Sequence, residues 1–295
     1  MIDPLISVVI PTYNGERHIM NAVHTVANQT YKNLETIIVI DGSKDGTREL
    51  LESYRATLSL EEHNRFKIIC QENRGVSAAR NTGMCACSGD FIALLDGDDT
   101  WHPEKIAAQV AEISKYPKQD SIFCTTNHEI VDQKTGDKQV HDNGNSLTIL
   151  GLCKNTGAQP GTWLFSKDIF SGKVGGFDER MSVAEDGDYL MRVFNRQDIR
   201  AINIDRALTT YNVGNDESLS SSPLTEKKLK SFALNFEKHH DTLKDALPTD
   251  LYDRFIEWHT HILPPKMMEE SLRKIELCGH QQPKSASNLA ATPRI

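Results

Sequence analysis

Long hydrophobic runs are missing from this chain of 295 residues. No uninterrupted apolar stretch approaches the ~20 residues that a membrane-spanning helix needs. Cysteine is scarce: six residues are too few for a disulfide scaffold, and none falls in a C-x-x-C pair. Cys85 and Cys87, the closest two, read as free thiols of a reducing compartment. Basic residues do not predominate either. The 33 Lys and Arg stand against 41 Asp and Glu, and a net charge of −8 argues against a nucleic-acid binder. The opening residues, Met1-Ile2-Asp3-Pro4, lack a basic segment followed by an apolar one, so no secretory leader is expected. Apolar residues at 38% and charged residues at 25% exclude wholesale disorder and collagen-like order. What remains is a soluble, cytoplasmic chain with length enough for a real core.

The first hundred residues alternate two periodicities. Ile6 to Ile10, Leu34 to Ile40, Phe66 to Cys70 and Phe91 to Leu95 are short strand-like runs. Between and after them lie helical stripes: Ile19, Ala22, Val23 and Val26; Leu50, Leu51, Tyr54 and Leu58; Ile106, Val110 and Ile113. Gly75 to Cys87 reads as a small-residue helix able to pack closely on a sheet. Strands alternating with helices imply a mostly parallel, doubly wound α/β sheet. From Ser121 the pattern loosens, with strands at Ser121–Thr125, Glu129–Val131, Thr162–Ser166, Ile199–Ile204 and Ala207–Tyr211, and a helix at Asp186–Phe194. After Pro223 the apolar spacing predicts two or three helices, broken at Pro248 and Pro264-Pro265. The domain reading is residues 1–222 for the sheet, 223–280 for a C-terminal helical region, and a polar tail, 281–295, expected to be disordered.

Several strands end in polar loops: Pro11-Thr12-Tyr13-Asn14, Asp41-Gly42-Ser43 and Asp96-Gly97-Asp98-Asp99. In an open parallel sheet these carboxyl ends gather in one crevice where ligands bind. A crevice lined by acids repels a bare phosphate unless a divalent cation intervenes. Asp96 and Asp98, as D-x-D, supply hard oxygen ligands for Mg²⁺ or Mn²⁺, with a diphosphate completing the shell. The alternative is a polar turn capping the helix near Pro103. Asp41, Ser43, Asp45, Gly46 and Glu52 approximate a calcium-binding EF-hand loop, but the segment before them is a β-branched strand and no second loop exists to pair with it. Asp41 is better read as a strand-end ligand group and Asp45 as a helix N-cap.

Six segments in order, SVVIPTYNG from Ser7, DGSKDGT from Asp41, ENRGVSAARNTG from Glu72, LLDGDD from Leu94, GGFDE from Gly175 and AEDGDYLMR from Ala184, resemble the family 2 glycosyltransferases over roughly Ile6 to Tyr211. The resemblance implies the GT-A fold, a Rossmann-like sheet flanked by helices. It also implies a nucleotide-sugar donor, usually a UDP-sugar, and inversion at the anomeric carbon. Pro11, Thr12, Tyr13, Asp41 and Arg80 match positions that hold the nucleoside and diphosphate. Asp96 and Asp98 match the D-x-D that meets ribose and metal, Mn²⁺ or Mg²⁺, with Asp99 the alternative ligand because consecutive acids leave the register open by one. Asp186 matches the catalytic base.

The chemistry asks for the same groups. Sugar transfer builds negative charge on the leaving diphosphate, which a divalent ion neutralises, while a carboxylate on the opposite face takes the acceptor's proton. Asp186 lies between Glu185 and Asp188, and three nearby acids are expected to raise one another's pKa. Dipole compensation at a helix start is the competing explanation.

Two departures stand out. Many relatives carry Tyr-Arg-x-His after the last strand, with the His near metal or diphosphate, whereas here the stretch is Tyr211-Asn212-Val213-Gly214-Asn215. There is no Q-x-x-R-W motif and no membrane span, unlike processive polymer synthases. The resemblance therefore implies a non-processive hexosyl- or N-acetylhexosaminyl-transferase of cell-surface polysaccharide biosynthesis. Its acceptor is a glycan or lipid-linked glycan, it is cytoplasmic or peripheral at the inner face of the membrane, and it is open to homo-oligomerisation through the C-terminal helices. The alternative is a nucleotide-sugar-binding partner subunit without transferase activity.

Overall fold

Four β-branched segments form the first half of the sheet: β1 (Ile6–Thr12), β2 (Leu34–Asp41), β3 (Phe66–Gln71) and β4 (Phe91–Leu94). They belong to a computed structural model that describes residues 3–144, 147–148, 159–214 and 223–279. β1 pairs in parallel with β2 and β4, and β2 in parallel with β3, giving the order β3-β2-β1-β4. Parallel neighbours need crossovers, here made by α1 (Ile19–Ala27), α2 (Thr47–Arg55) and α4 (Val76–Cys85). The single turn α3 (Leu60–Asn64) starts from a reciprocal Ser59–Glu62 capping box. After β4 come β5 (Thr100–Trp101), α5 (Lys105–Ile113), β6 (Ser121–Asp132), β7 (Lys138–His141), β8 (Leu164–Ser166), α6 (Glu185–Phe194) and β9 (Ile199–Val213).

The expected mostly parallel α/β architecture is present, and antiparallel strands extend it. β8 inserts antiparallel between β4 and β6, β9 runs parallel to β6, and β5 and β7 are antiparallel additions to β9 and β6. Two pairs of expected strands prove to be single ones: Ser121–Thr125 and Glu129–Val131 merge into β6, and Ile199–Ile204 and Ala207–Tyr211 into β9, with a register irregularity at Thr126–His128.

Both faces of the sheet are covered, as period-two alternation along β1 requires. Ile6, Val8 and Ile10 pack with Val23 of α1, Leu51 of α2 and Ile106 of α5. Val9 faces the other way, with Ala79 of α4 and Tyr189 and Leu190 of α6. The close approach expected of the small-residue helix is real: a Cβ on Gly83 would lie 2.3 Å from Val9 Cγ1. The C-terminal region is α7 (Glu226–Ala246), α8 (Thr249–Ile262) and α9 (Pro265–Gly279), separated at Pro248 and Pro264. These helices share a small core of Ala233, Phe236, Leu263 and Met268. Among the described residues no helix is long and apolar enough to cross a membrane. The tail, 281–295, lies outside the described residues.

Candidate active site

The parallel strands place three loops along one edge. The end of β1 contributes buried Pro11 and Thr12, and the loop after it Tyr13, which is 53% exposed. It is clipped to the β2 loop: the Asn14 N–H donates to Ser43 Oγ at 2.9 Å, and the Lys44 N–H donates back to Asn14 Oδ1 at 2.9 Å. The Glu16 N–H donates to Asp45 Oδ2, and the Gly46 N–H to Glu16 Oε2, both at 3.0 Å. Gly46, not Asp45, occupies the N-cap position of α2; Asp45 caps from one residue earlier by accepting the Thr47 N–H. The EF-hand pattern has no counterpart, since Glu52 pairs with Arg55 on the helix surface.

Asp41 is turned inward and buried. Its carboxylate accepts Gln71 Nε2 and the backbone N–H groups of Arg74 and Gly75, at 2.8 to 2.9 Å, where α4 begins. An anion at a helix N-terminus is favourable. Asp41 thereby fixes the start of the helix that carries Arg80.

Arg80 organises the centre. It is 3% exposed, bonds both oxygens of Asp96 at 2.8 and 3.0 Å and Glu185 Oε1 at 2.8 Å, and lies 5.2 Å from the Phe177 ring centroid. Burial disfavours its charge, but Asp96 and Glu185 outweigh that and keep the guanidinium firmly protonated. Phe177 is itself held by stacking on Tyr189 at 4.6 Å. The D-x-D loop of β4 and the acidic start of α6 are thus joined through one cation from α4.

Asp98 is half-buried, and burial together with repulsion from Asp96 raises its pKa. Asp99 is different. It is 1% exposed, accepts the Asn212 N–H at 2.9 Å, and has its pKa pushed well up by burial and then by Asp98. Asp99 is thus buried against the β9 backbone, whereas Asp98 is partly open. Asn212 also donates through Nδ2 to the Asp98 carbonyl at 2.7 Å, so the end of β9 clamps this loop. At Gly214, the position at which the family resemblance would place a His, φ is +82° and a Cβ would lie 2.8 Å from Asp132 Oδ1. Beside Asp98 opens a cavity of about 320 Å³ lined by His18, Asn21, Thr100, Gln133 and Asn212. Among the described residues no group of three His, Cys, Asp or Glu side chains is placed to hold a metal by itself.

Asp186 lies two residues after Ala184, a non-glycine residue in the left-handed region at φ +59°, a conformation costing ~1–2 kcal/mol. Burial, and then Glu185, push the Asp186 pKa up to about 6. Its Oδ1 accepts the Gly187 N–H at 2.7 Å. Asp188 corrects the expectation of three mutually raising acids. It points away into α7, 0% exposed, where burial is overcome by His239, Arg192 and Lys238 and its pKa falls to about 2. All three acids do lie in the first turn of α6, so dipole compensation is present as well.

Arg80, Asp96, Asp98 and Asp186 therefore meet in one electrostatic centre, while Asp41 and Tyr13 belong to the flanking β1 and β2 loops. Sequence reasoning missed Glu185 as the partner of Arg80, Asn212 as the clamp, and the α7 side chains on Asp188. A Glu next to the expected base was a usable signal; contacts fifty residues apart left none.

Residues 7–172 match the family described as Glycosyl transferase family 2. The chain is 30% identical over 199 residues to an uncharacterised glycosyltransferase of Rickettsia prowazekii, covering 65% of this chain and 59% of that protein. It is 34% identical over 155 residues to TuaG of Bacillus subtilis, named for teichuronic acid biosynthesis, covering 52% and 58%. The chain thus matches about three fifths of the length of these relatives. Among solved structures, TarS of S. aureus in complex with UDP-GlcNAc superposes with TM-score 0.65 at 18% identity, covering 94% and 91% of the two chains. The mannosyltransferase PcManGT from Pyrobaculum calidifontis, in complex with GDP-Man and Mn²⁺, superposes with TM-score 0.59 at 18% identity, covering 95% and 76%. The α/β sheet and its flanking helices thus share their fold with these two solved structures. The chain belongs to glycosyl transferase family 2.

Proposed function

We propose that this chain is an inverting, non-processive hexosyl- or N-acetylhexosaminyl-transferase. It moves one sugar from a UDP-sugar to a hydroxyl of a glycan or lipid-linked glycan in cell-surface polysaccharide biosynthesis, drawing its donor from the cytoplasm. The observation that carries this reading is the Arg80 bridge: one buried cation joins the D-x-D aspartate Asp96 to Glu185, next to a carboxyl, Asp186, whose pKa is raised. A raised pKa near the working pH suits a general base. Asp186 accepts the proton of the acceptor hydroxyl as its oxygen bonds to the anomeric carbon, and the bond from that carbon to the diphosphate breaks on the opposite face.

Pro11, Thr12, Tyr13 and Asp41 line or support the nucleoside side of the edge, with Arg80 and Asp96 towards the diphosphate and ribose. A divalent ion, Mn²⁺ or Mg²⁺, fits beside Asp98, whose pKa, raised partly by Asp96, marks a place where a counter-charge is favourable. Asp98 would hold the ion, with Asn212 keeping the Asp98 backbone in place, and the ion would supply Lewis-acid neutralisation of the charge growing on the leaving diphosphate.

The test is release of nucleoside diphosphate from a panel of UDP-glucose, UDP-galactose, UDP-GlcNAc and GDP-mannose, with thermal shifts on the same panel. A donor at 100 times its Kd stabilises by about 2.7 kcal/mol. One UDP-sugar is expected to stand out in both measurements. No shift with any donor would remove the reading.

A further inference from the structure

α7 meets the core through a row of polar side chains spaced along one helical face: Ser231, Asn235, Lys238 and His239. All four take hold of the segment that carries Asp186. The Ser182 N–H donates to Ser231 Oγ at 2.9 Å, and Asn235 Nδ2 donates to the Ala184 carbonyl at 3.4 Å. His239 Nε2 lies 2.9 Å from Asp188 Oδ1, and Lys238 Nζ pairs with that same oxygen and with Asp178 at 3.2 Å.

These contacts bracket Asp186. Before it, they fix the backbone on either side of Val183, where Ala184 takes up its left-handed conformation. Two residues after it, they fix a carboxylate with no exposure to water. Arg192 adds a third hold, bonding Asp188 and the carbonyls of Val174 and Gly176. On the opposite side Glu185 is tied to Arg80. Asp186 itself accepts the N–H of the next residue, so its direction is set by its anchored neighbours. A strained conformation persists only where the surroundings over-determine it.

We propose that α7 is the positioning element of the catalytic base: Lys238 and His239 acting through Asp188, and Ser231 and Asn235 acting on the Ser182–Ala184 turn, aim Asp186 at the acceptor. The inference rests on the reading of Asp186 as the base. It gives the C-terminal helices a role in turnover without any of their side chains meeting donor or acceptor.

The test compares His239→Ala, Lys238→Met and His239→Gln with the full chain, using the most active donor of the panel. Misplacement of a reacting group by an ångström costs about 10²-fold. His239→Ala is therefore expected to lower kcat by about 10–100-fold with donor KM within about threefold. Hydrogen exchange across 182–188 should speed up by about tenfold while peptides from β1 and β4 stay unchanged. His239→Gln, which can place a donor near the imidazole Nε2, restores most of the rate. In an Asp186→Asn background, adding His239→Ala lowers the residual rate by no more than about twofold, because residues acting as a unit are non-additive.

Unchanged kcat in both His239→Ala and Lys238→Met would overturn the proposal. So would a fall caused by His239→Ala that is the same with Asp186 or Asn at 186. Lys238, at the partly exposed edge of the cluster, carries the test if His239→Ala does not fold. If Asp186→Asn alone keeps full turnover, the base assignment is what fails; the hydrogen-exchange comparison still decides whether α7 holds the turn.

Discussion

Arg80→Met removes the one cation shared by Asp96 and Glu185 and leaves their carboxylates facing each other and Asp186. The Arg80 side chain is 4% exposed, that of Glu185 11% and that of Asp96 25%, so water screens little of the loss. Three charge-assisted hydrogen bonds disappear together. Removing one partner of a buried pair costs about 3–5 kcal/mol, mostly because the other charges stay buried and unpaired. We expect a loss of that size in urea unfolding at pH 7. Arg80 also opposes the rise of the Asp186 pKa; without it that carboxyl rises further, the folded state binds the extra proton, and the gap from the parent protein narrows as pH falls from 7 to 5. Adding Glu185→Gln removes one of the stranded charges and recovers about 1–3 kcal/mol. A single variant within about 1 kcal/mol of the parent at pH 7, or a double variant no better than the single, would refute the view of Arg80 as the electrostatic keystone.

Three further outcomes are expected. Lys105 is fully buried, bonds Gln109 Oε1 at 2.9 Å, and is drawn by burial down to about 7. Between that value and the unfolded 10.5 the unfolded chain binds the extra proton, so stability rises with pH; Lys105→Met removes about 1–3 kcal/mol of the increase between pH 7 and 9 in denaturant titrations. Asp188, held at about 2 against a usual 3.8, adds about 2 kcal/mol at neutral pH that is lost as pH falls through its folded value. Asp188→Asn should show that loss at pH 7 and a flatter acid limb by circular dichroism; equal acid limbs would contradict the assignment. Asp98→Asn should lose most divalent-dependent UDP binding by isothermal titration, and unchanged affinity with Mn²⁺ would move the metal elsewhere.

Elements punctuated by residues in their own neighbourhood were legible in the sequence. β1, β2 and β4 are β-branched or apolar runs; β1 runs through Pro11 to Thr12, β2 ends on Asp41 and β4 stops one residue short of Leu95, so their bounds agree with the sequence reading to within two residues. β6 was read as two strands because Thr126, Asn127 and His128 look like loop residues. They are buried, and Asn127 donates to Asp205 Oδ1 at 2.9 Å and accepts the Asn143 N–H from the segment just after β7. β7, KQVH, is mostly exposed and so shows no apolar alternation, and β5 has only two residues. α3 did carry a signal, the Ser59–Glu62 capping box, in a segment without an apolar stripe. The site was legible wherever a loop follows a parallel strand. The separation of roles among Glu185, Asp186 and Asp188 was not, because it depends on Arg80 and His239, 105 and 51 residues away.

The central claim, that Asp186 is the base of a sugar transfer, is tested most directly by Asp186→Asn with turnover and UDP binding measured on the same preparation. The asparagine keeps shape and cannot take the acceptor's proton, so kcat should fall by about 10²–10⁴-fold. UDP affinity should stay near that of the parent protein, because the nucleotide contacts proposed above lie on the β1 and β2 loops and Asp96, not on Asp186. Full turnover in Asp186→Asn, or equal losses of turnover and UDP binding, would contradict the account.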